Sequence, residues 1–526
     1  MKKNNLFKAV GIVILVYVLL SWIAPIITNS ACTDNQNLCQ IGIVSIFSII
    51  AETFSGFGTV VLFVLMVGAF YGVLKVTGAY DKMINAWSTK ANGSEKLWLV
   101  IVMIAMALIS SFAGLDLGLL VLFPILIGFI TKLGFNKLVA LSSTVGATII
   151  GMYGALFTGS LYGINNGLLG LGKYDQILVK VILFVVGLGA LIAFVLMYIK
   201  GNKKAFNKKE IKLDAKKESN NKGKKKAVEA KVSTKKKAVE SKKDKKKSAS
   251  KKEKGERTSL PGFVIFGVAV LVLLLGTIAW GNIFANNFFD NAHTAWTGVK
   301  VGGFDILNKL FGGVAAFGSS DWYQGPTRFQ IYSMILLMAM VAITIAYKKS
   351  VKESFDGFVD GIKSFVVPAV VTVLVSSVFV FVYYSPVISN ITSGLLGSNF
   401  NIATSGLYTI INSVFYVDYF YLANMILPAI TTTYSDASTL SVISVMFANL
   451  YALVMLVGPT SILLLITLSL TEVNYTEWFK FIGKLALPLL FVSFAVFSFM
   501  LDSILIGVIF AVLAVVIFIV FNLNRK

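Results

Sequence analysis

The residues Gly458-Pro459-Thr460-Ser461 lie inside an otherwise apolar run from about position 442 to position 470. A proline in mid-helix removes a backbone hydrogen bond, and the adjacent glycine adds conformational freedom. In a bilayer, backbone groups freed in this way are tolerated only where they are buried in protein or line a wet cavity. Thr460 and Ser461 add hydroxyl donors and acceptors at the break. Two interpretations fit: a plain proline kink, or a discontinuous membrane helix whose break forms the binding site of a secondary transporter.

Composition places this run in a polytopic membrane protein. The chain has 526 residues, of which 56% are hydrophobic and 14% charged, and its mean hydropathy is +0.81. Several uninterrupted apolar runs reach the roughly 20 residues that a helix needs to span a bilayer. The first run, Leu6 to about Ile27, is too long for a signal peptide, and no clear small-residue cleavage site follows it. The sequence therefore predicts an all-α membrane protein with a retained first helix.

Most of the net charge of +22 lies in one segment. Residues 203–257 contain 23 lysines and one arginine against eight acids, so this segment carries about +16. The positive-inside rule places it in the cytoplasm, together with both termini. Its composition cannot bury a core, and we interpret residues 201–258 as a disordered, solvated linker. The alternative is a loop that binds anionic lipid or RNA. Because it contains almost no aromatic residues, no nucleic-acid partner is expected.

The remaining reactive residues exclude most enzyme chemistry. The cysteines, Cys32 and Cys39, lie in the first loop, which we place outside the cell, where a disulfide can persist. Whether they form a bridge stays open, because two cysteines are weak evidence. The single histidine is His293, and no His/Cys/acid cluster has metal-ligand spacing. A metalloenzyme or a Ser-His-Asp enzyme therefore lacks its parts, so we expect neither an enzyme nor a bound metal.

A first hairpin is predicted between residues 97 and 130. This run is interrupted near Ser110-Ser111 and Gly114, and lysines flank both of its ends. The simplest interpretation is a re-entrant hairpin that enters from the cytoplasm and turns inside the membrane. Two full helices with a tight external turn are the alternative. Asp116 follows the turn, and an acid within the membrane indicates function. The alternative is a solvated turn carboxylate.

The second half, residues 259–526, repeats this order from the opposite side of the membrane. The stretch from about 400 to 430 is interrupted before Asp418, and the broken helix at Gly458–Ser461 follows, with Asn449 about three turns before the break. Together with the first half, residues 1–200, this order predicts two inverted repeats. Each repeat holds a hairpin with an acid near its tip and then a broken helix.

Two segments carry a resemblance to a known family. Pro459–Ser461 followed by Thr471–Phe481 (TEVNYTEWFKF) resembles the "PTS … V-x-Y-x-x-W-x-K-F" segment of the YfcC family, membrane carriers of the ion transporter superfamily. Upstream, Phe123–Ile127 (FPILI) and Leu133–Val139 (LGFNKLV) are similar to its "YPLLIP … LGFDRLV" segment. The resemblance implies a homodimer in which a transport domain moves through a scaffold domain by an elevator mechanism. It also implies basic amino acids, short-chain fatty acids or other organic acids as solutes.

The resemblance adds a second break and exposes two departures. Thr158-Gly159-Ser160 falls where the family has an "N-P" break. Where the family has "A-E-E-T" after the first turn, this chain has Leu115–Gly118 (LDLG). Where the second tip reads "P-S-G-S-G-Q", this chain has Val414–Asp418 (VFYVD), which is bulkier and acidic. These departures leave the solute and the coupling ion open.

The site predicted from these features lies near the membrane midplane. Half-helix N-termini favour a carboxylate, whereas hydroxyls and freed carbonyls suit a small cation. Asp116 and Asp418 are candidates for binding H⁺, Na⁺ or a substrate ammonium. The predicted binding residues are Ser110, Ser111, Gly114, Asp116, Thr158, Gly159, Ser160, Asp418, Asn449, Gly458, Pro459, Thr460 and Ser461.

The predicted function is secondary active transport across the plasma membrane. The solute is a small molecule that bears a carboxylate, either an amino acid (a basic one is favoured) or an organic acid. An ion gradient or exchange drives its movement, and no cofactor other than Na⁺ or H⁺ is expected. The alternatives are a membrane-anchored scaffold whose lysine-rich loop binds anionic lipid or RNA, and a channel. No recognisable selectivity filter or charged ring supports the channel.

Overall fold

The computed structural model describes residues 5–28, 40–154, 156, 165–172, 174–207, 259–277, 291, 295, 299–300, 302–303 and 328–523. Within these ranges the regular structure is helical, apart from one isolated β-bridge between Phe135 and Phe206. In the described part of the chain, ten helices are long and apolar enough to cross a membrane. The prediction of an all-α, multi-pass membrane protein is thereby confirmed.

The first half contributes helices, one 3₁₀ segment and one π-helical turn. They are α1 Leu6–Thr28, α2 Ile43–Gly56, α3 Gly58–Val76, α4 Ala79–Ala91, α5 Glu95–Ala113, the 3₁₀ segment Leu117–Leu122, α6 Phe123–Lys132, α7 Lys137–Leu141, the π turn Ser142–Gly146, α8 Ala147–Gly154 and α9 Ile177–Gly201.

The second half contributes further helices. They are α10 Leu260–Thr277, α11 Arg328–Ala346, α12 Val351–Tyr384, α13 Val387–Ser393, α14 Ile402–Phe415, α15 Tyr419–Thr433, α16 Ala437–Val457, α17 Ile462–Thr471, α18 Tyr475–Met500 and α19 Ile504–Leu523. The interruption predicted around Gly458–Ser461 lies between α16 and α17.

Two helices differ from the sequence prediction. The apolar run of residues 365–384 is long enough by itself to predict a membrane helix, but α12 begins at Val351, because Ser350 and Glu353 form a reciprocal capping box that starts the helix earlier. The basic stretch after α3, which we did not assign, is the helix α4, and Asp81 in its first turn complements the helix dipole.

Four helices form a first group, the α3 body: α3, α10, α11 and α12. Glycines let α3 and α12 approach closely. A Cβ added at Gly72 would lie 2.0 Å from the carbonyl oxygen of Gly357, and one at Gly361 would lie 2.2 Å from that of Gly68. In a membrane, where lipid is as apolar as leucine, such close backbone contact is a main source of helix association.

A second group, the α8 body, surrounds α8. Helices α5, α9 and α16 pack directly on α8, and α18 packs on α16. A Cβ at Gly151 of α8 would lie 2.2 Å from the carbonyl oxygen of Ala107 of α5, so these backbones also touch. The 3₁₀ segment packs against α3 and α10 of the α3 body, and α17 contacts α12 and the π turn.

Several predictions fall outside the described residues. The loop cysteines Cys32 and Cys39, the histidine His293 and the segment 208–258 of the lysine-rich loop belong to this group.

Candidate functional site

The turn between α5 and the 3₁₀ segment, tip 1, holds Asp116 in a buried position. Gly114 ends α5 with φ 72° and ψ −158°, a backbone conformation that is essentially restricted to glycine. Ser110 fixes the turn, because its Oγ donates to Thr148 O at 2.5 Å and to Gly114 O at 3.3 Å. Asp116 then caps the 3₁₀ segment, and its Oδ1 accepts from Gly118 N at 2.6 Å.

The counter-charge of Asp116 is Arg328, a residue that sequence reasoning missed. The Arg328 guanidinium lies 3.1 Å from Asp116 Oδ2 and 4.7 Å from the ring centre of Phe329. Arg328 begins α11, so the ion pair joins tip 1 to the α3 body. A signal was available: the chain is lysine-rich, with arginine only at positions 257, 328 and 525, and 328 directly precedes an apolar span.

Two further side chains line tip 1. An added Cβ at Gly118 would meet Asp116 Oδ1 at 2.8 Å, Tyr332 Cε2 at 2.9 Å and Thr277 Cγ2 at 3.3 Å, so the backbone of the segment is in close contact with α10 and α11. Tyr332 is fully buried, and its hydroxyl has no hydrogen-bond partner. A buried polar atom without a partner is unfavourable and marks a place where a bound molecule or ion can pair with it.

The turn between α14 and α15, tip 2, brings the second predicted acid to the same region. Asp418 is half-buried and caps α15 by accepting from two backbone N–H groups at 2.8 and 3.3 Å. Its carboxylate interacts electrostatically with Asp116 and Arg328, more weakly than those two residues interact with each other. Tyr451 of α16 holds the turn by donating to Val417 O at 2.8 Å. The charges of the two tips are therefore coupled through the electrostatic field of the protein.

The break between α16 and α17 presents an unpaired hydroxyl and a helix N-terminus. Thr460 is fully buried, and its Oγ1 has no hydrogen-bond partner among the residues that the structure describes. Ser461 is the N-cap of α17 and makes no side-chain capping bond to the first backbone N–H groups. Such N–H groups, together with the helix dipole, favour an anion.

Two residues of the C-terminal motif stabilise this break from the other side. Tyr475 OH donates to Val457 O at 2.6 Å, and Trp478 Nε1 donates to Leu456 O at 3.0 Å. Both carbonyls belong to the last turn of α16, which lacks partners further along the helix. Tyr475 and Trp478 therefore pair with the carbonyl oxygens that the proline break leaves without partners in the helix, although both residues lie well downstream of Pro459 in the sequence.

Asn449 connects the broken helix to α8. Its Nδ2 donates to Tyr153 O at 2.9 Å, near the end of α8, while its Oδ1 has no partner. On the other side of the predicted break, Asn165 also contacts α16. Its Nδ2 donates to Ser444 O of α16 at 3.1 Å and to Tyr419 OH of α15 at 2.5 Å. The residues on both sides of the predicted first break thus contact α16 and α15.

The other predicted binding residues are the three of the first break and Ser111. Thr158, Gly159 and Ser160 lie outside the described residues. The hydroxyl of Ser111 donates to Leu108 O at 2.7 Å, so it is engaged within its own helix.

The candidate residues offer groups of both charges. They comprise one ion-paired guanidinium, two carboxylates, the hydroxyls of Thr460 and Tyr332, and the N-terminus of α17. No group of three or more His, Cys, Asp or Glu side chains that could hold a metal ion occurs among the described residues.

Comparisons with known proteins place these features in a family context. The model of DcuC, the C4-dicarboxylate anaerobic carrier family, matches residues 6–502. No curated protein matched the chain. Among solved structures, the chain resembles that of the Alcanivorax borkumensis YdaH transporter, with a TM-score of 0.36 and 11% identity over 96% of this chain and 98% of that chain. A structural similarity of that size supports no conclusion about this chain, so its family is assigned from the match to the family model alone.

Proposed function

Since the chain belongs to the C4-dicarboxylate anaerobic carrier family and is therefore a membrane transporter, we propose that it is a secondary active carrier of a small dicarboxylate. The observation that carries this proposal is the ion pair between Arg328 and Asp116. On sequence alone, two separated carboxylates favoured a cationic amino acid. Arg328 changes this balance, because it neutralises one of the two acids and so weakens the case for a cationic solute.

The two ends of the solute would meet different groups. The N-terminus of α17, with Thr460 and Ser461, suits one carboxylate, because backbone N–H groups and hydroxyls donate to anions. The region of tip 1, with Arg328 and Tyr332, suits the other. Asp418 and Asp116 are the candidate residues for the coupling cation, H⁺ or Na⁺.

The movement that we propose is of the elevator type. The α3 body would serve as the scaffold, because its helices approach to backbone contact at four glycines. The two tips, α8, α16 and α17 would form the transport domain, arranged as two inverted repeats. The contacts of the 3₁₀ segment with α3 and α10, and of α17 with α12, mark the surface along which these domains would slide. We place the carrier in the plasma membrane as a homodimer, with the lysine-rich loop and both termini cytoplasmic.

Uptake into proteoliposomes tests the proposal. Radiolabelled succinate, fumarate, arginine, lysine, a neutral amino acid and butyrate are supplied in turn, with Na⁺, proton and counter-solute gradients imposed separately. We expect saturable uptake of a dicarboxylate under one of these gradients or in exchange. If folded protein transports no solute under any gradient, the carrier proposal is wrong. The alternative is then a membrane-anchored scaffold whose lysine-rich loop binds anionic lipid or RNA. Uptake of a cationic amino acid alone would overturn the choice of solute.

A further inference from the structure

The ion pair between Arg328 and Asp116 uses only one side of the carboxylate. Oδ1 of Asp116 accepts from Gly118 N at 2.6 Å and thereby shapes tip 1, whereas Oδ2 faces the guanidinium at 3.1 Å. The fold of the tip therefore does not depend on the Arg328 contact. Loss of that contact would leave the capping bond in place.

The two partners differ in access to solvent. The side chain of Asp116 is 5% exposed, while that of Arg328 is 27% exposed. A planar guanidinium has several N–H donors in a fixed fork that matches the geometry of a carboxylate. Arg328 is therefore the more accessible partner of the pair and the one suited to a carboxylate solute.

The pair also crosses a boundary between two groups of helices. Asp116 belongs to the tip that follows α5, and α5 packs on α8, whereas Arg328 begins α11, which packs on α3 and α10. Any sliding of the tip relative to the α3 body separates the two charges. In a membrane interior, separation of an ion pair is unfavourable unless another charge replaces the lost partner.

We propose that Arg328 is a solute-binding residue and that Asp116 is its internal substitute, so that a carboxylate of the solute takes the place of Asp116 and releases tip 1 from α11. This inference rests on the proposed function and names a binding residue for it. Arg328 thus has a carboxylate partner both before and after the exchange. The exchange leaves the Asp116 carboxylate with Gly118 N–H as its remaining donor, so a coupling cation is required there.

Binding measurements on purified protein test this exchange. The probe is succinate, measured by calorimetry for the wild type, Arg328→Gln, Arg328→Lys, Asp116→Asn and the double variant Asp116→Asn/Arg328→Gln. Asp116→Asn keeps an oxygen for Gly118 N–H but removes the competing charge, so we expect succinate to bind at least threefold more tightly than to the wild type. Arg328→Gln is expected to bind succinate at least tenfold more weakly than the wild type. The affinity of Arg328→Lys should lie between those of the wild type and Arg328→Gln, because an ammonium keeps the charge but lacks the bidentate fork.

The double variant separates binding from stability. Arg328→Gln leaves a buried carboxylate without its counter-charge and should lower the melting temperature, whereas the double variant removes both charges and should restore it. Succinate binding should stay weak in the double variant. Asp360→Asn, which breaks the exposed pair between Asp360 and Lys363 at 3.2 Å, is the matched control and should change neither quantity.

The outcomes distinguish the inference from the proposed function. If the wild type binds succinate but Asp116→Asn binds it more weakly, the Asp116 carboxylate supports solute binding instead of competing with it, and the exchange is overturned while the function stands. Unchanged binding in Arg328→Gln has the same meaning. If the wild type binds no dicarboxylate, the proposed solute and the exchange are both wrong.

Discussion

At the scale of single residues, the candidate site contains two of the buried polar atoms that lack a hydrogen-bond partner in the described part of the chain. Most buried hydroxyls donate to a carbonyl of their own helix, as Ser142 does to Leu138 O at 2.8 Å. Thr460 Oγ1 and Tyr332 OH make no such bond, although both residues are fully buried. A fold that leaves these atoms unpaired gives up stability at the place where a solute can pair with them.

The first prediction concerns Thr460. In Thr460→Val the side chain keeps its shape and loses the unpaired hydroxyl, so we expect the melting temperature to stay equal or to rise. Burial of an unpaired hydroxyl costs about 1–3 kcal/mol, and the substitution removes this cost. Uptake of the transported solute should fall at least tenfold. Thr460→Ser keeps the hydroxyl and is the control that should retain uptake.

The measurements are thermal unfolding in detergent and uptake into proteoliposomes, on the same preparations. Full uptake in Thr460→Val would exclude the hydroxyl from the binding site. Lower stability together with lower uptake would point to a structural role in the break instead.

At the scale of elements, glycines decide which helices touch. Gly72 of α3 lies against Gly357 and Gly361 of α12, and each helix presents its glycines four residues apart. This spacing places them on one face of each helix, where the absence of side chains brings the backbones together. The α3–α12 contact is therefore built into the sequence of both helices, and it anchors the body from which Arg328 extends.

The second prediction is that Gly72→Ala destabilises the protein. The added Cβ would lie 2.0 Å from Gly357 O, and backbone at that distance must move, which typically costs about 1–3 kcal/mol. Gly189→Ala in α9 is the matched control, since an added Cβ there meets nothing within 4 Å. The control should be neutral or stabilising by up to about 1 kcal/mol, because alanine favours the helix more than glycine does. Thermal unfolding of both variants measures the difference, and equal melting temperatures would show that α3 and α12 are not closely packed in the membrane.

At the scale of the whole molecule, the two halves of the chain form shared structures. Helix α8 of the first half packs on α16 of the second, and α3 packs on α11 and α12. The candidate site follows the same pattern, because Asp116 and Arg328 are far apart in the sequence and Asp418 interacts electrostatically with both. Transport activity is therefore expected to be a property of the helical assembly, to which the lysine-rich loop is accessory.

The third prediction tests this view on the loop. We replace the lysines between residues 208 and 258 with glutamine, which keeps the chain length. If the helices perform transport, the KM and the maximal uptake rate in proteoliposomes should stay within about twofold of the wild type. Binding to vesicles of phosphatidylglycerol should weaken, since each basic residue near an anionic surface contributes about 1 kcal/mol. Vesicles of phosphatidylcholine provide the control.

A loss of uptake with unchanged vesicle binding would contradict the prediction. The loop would then take part in transport itself.

The sequence by itself determined the membrane class, the main spans, the turns that hold Asp116 and Asp418, and the helix break. These features depend on local properties: apolar runs of bilayer length, glycine and proline in mid-helix, and acids within apolar stretches. Gly114, Asp116, Asp418 and Thr460 could be selected on these grounds alone. The early start of α12 was missed, although Ser350 and Glu353 carry a recognisable capping signal.

Only the tertiary structure decided how these residues combine. The pairing of Arg328 with Asp116, the electrostatic interaction of Asp418 with both, and the hydrogen bonds of Tyr475 and Trp478 to the last turn of α16 join distant parts of the chain. No local pattern specifies such contacts, because they depend on which helix faces are brought together when the halves pack. The same packing leaves Thr460 Oγ1 without a partner, a property that no sequence stretch can display.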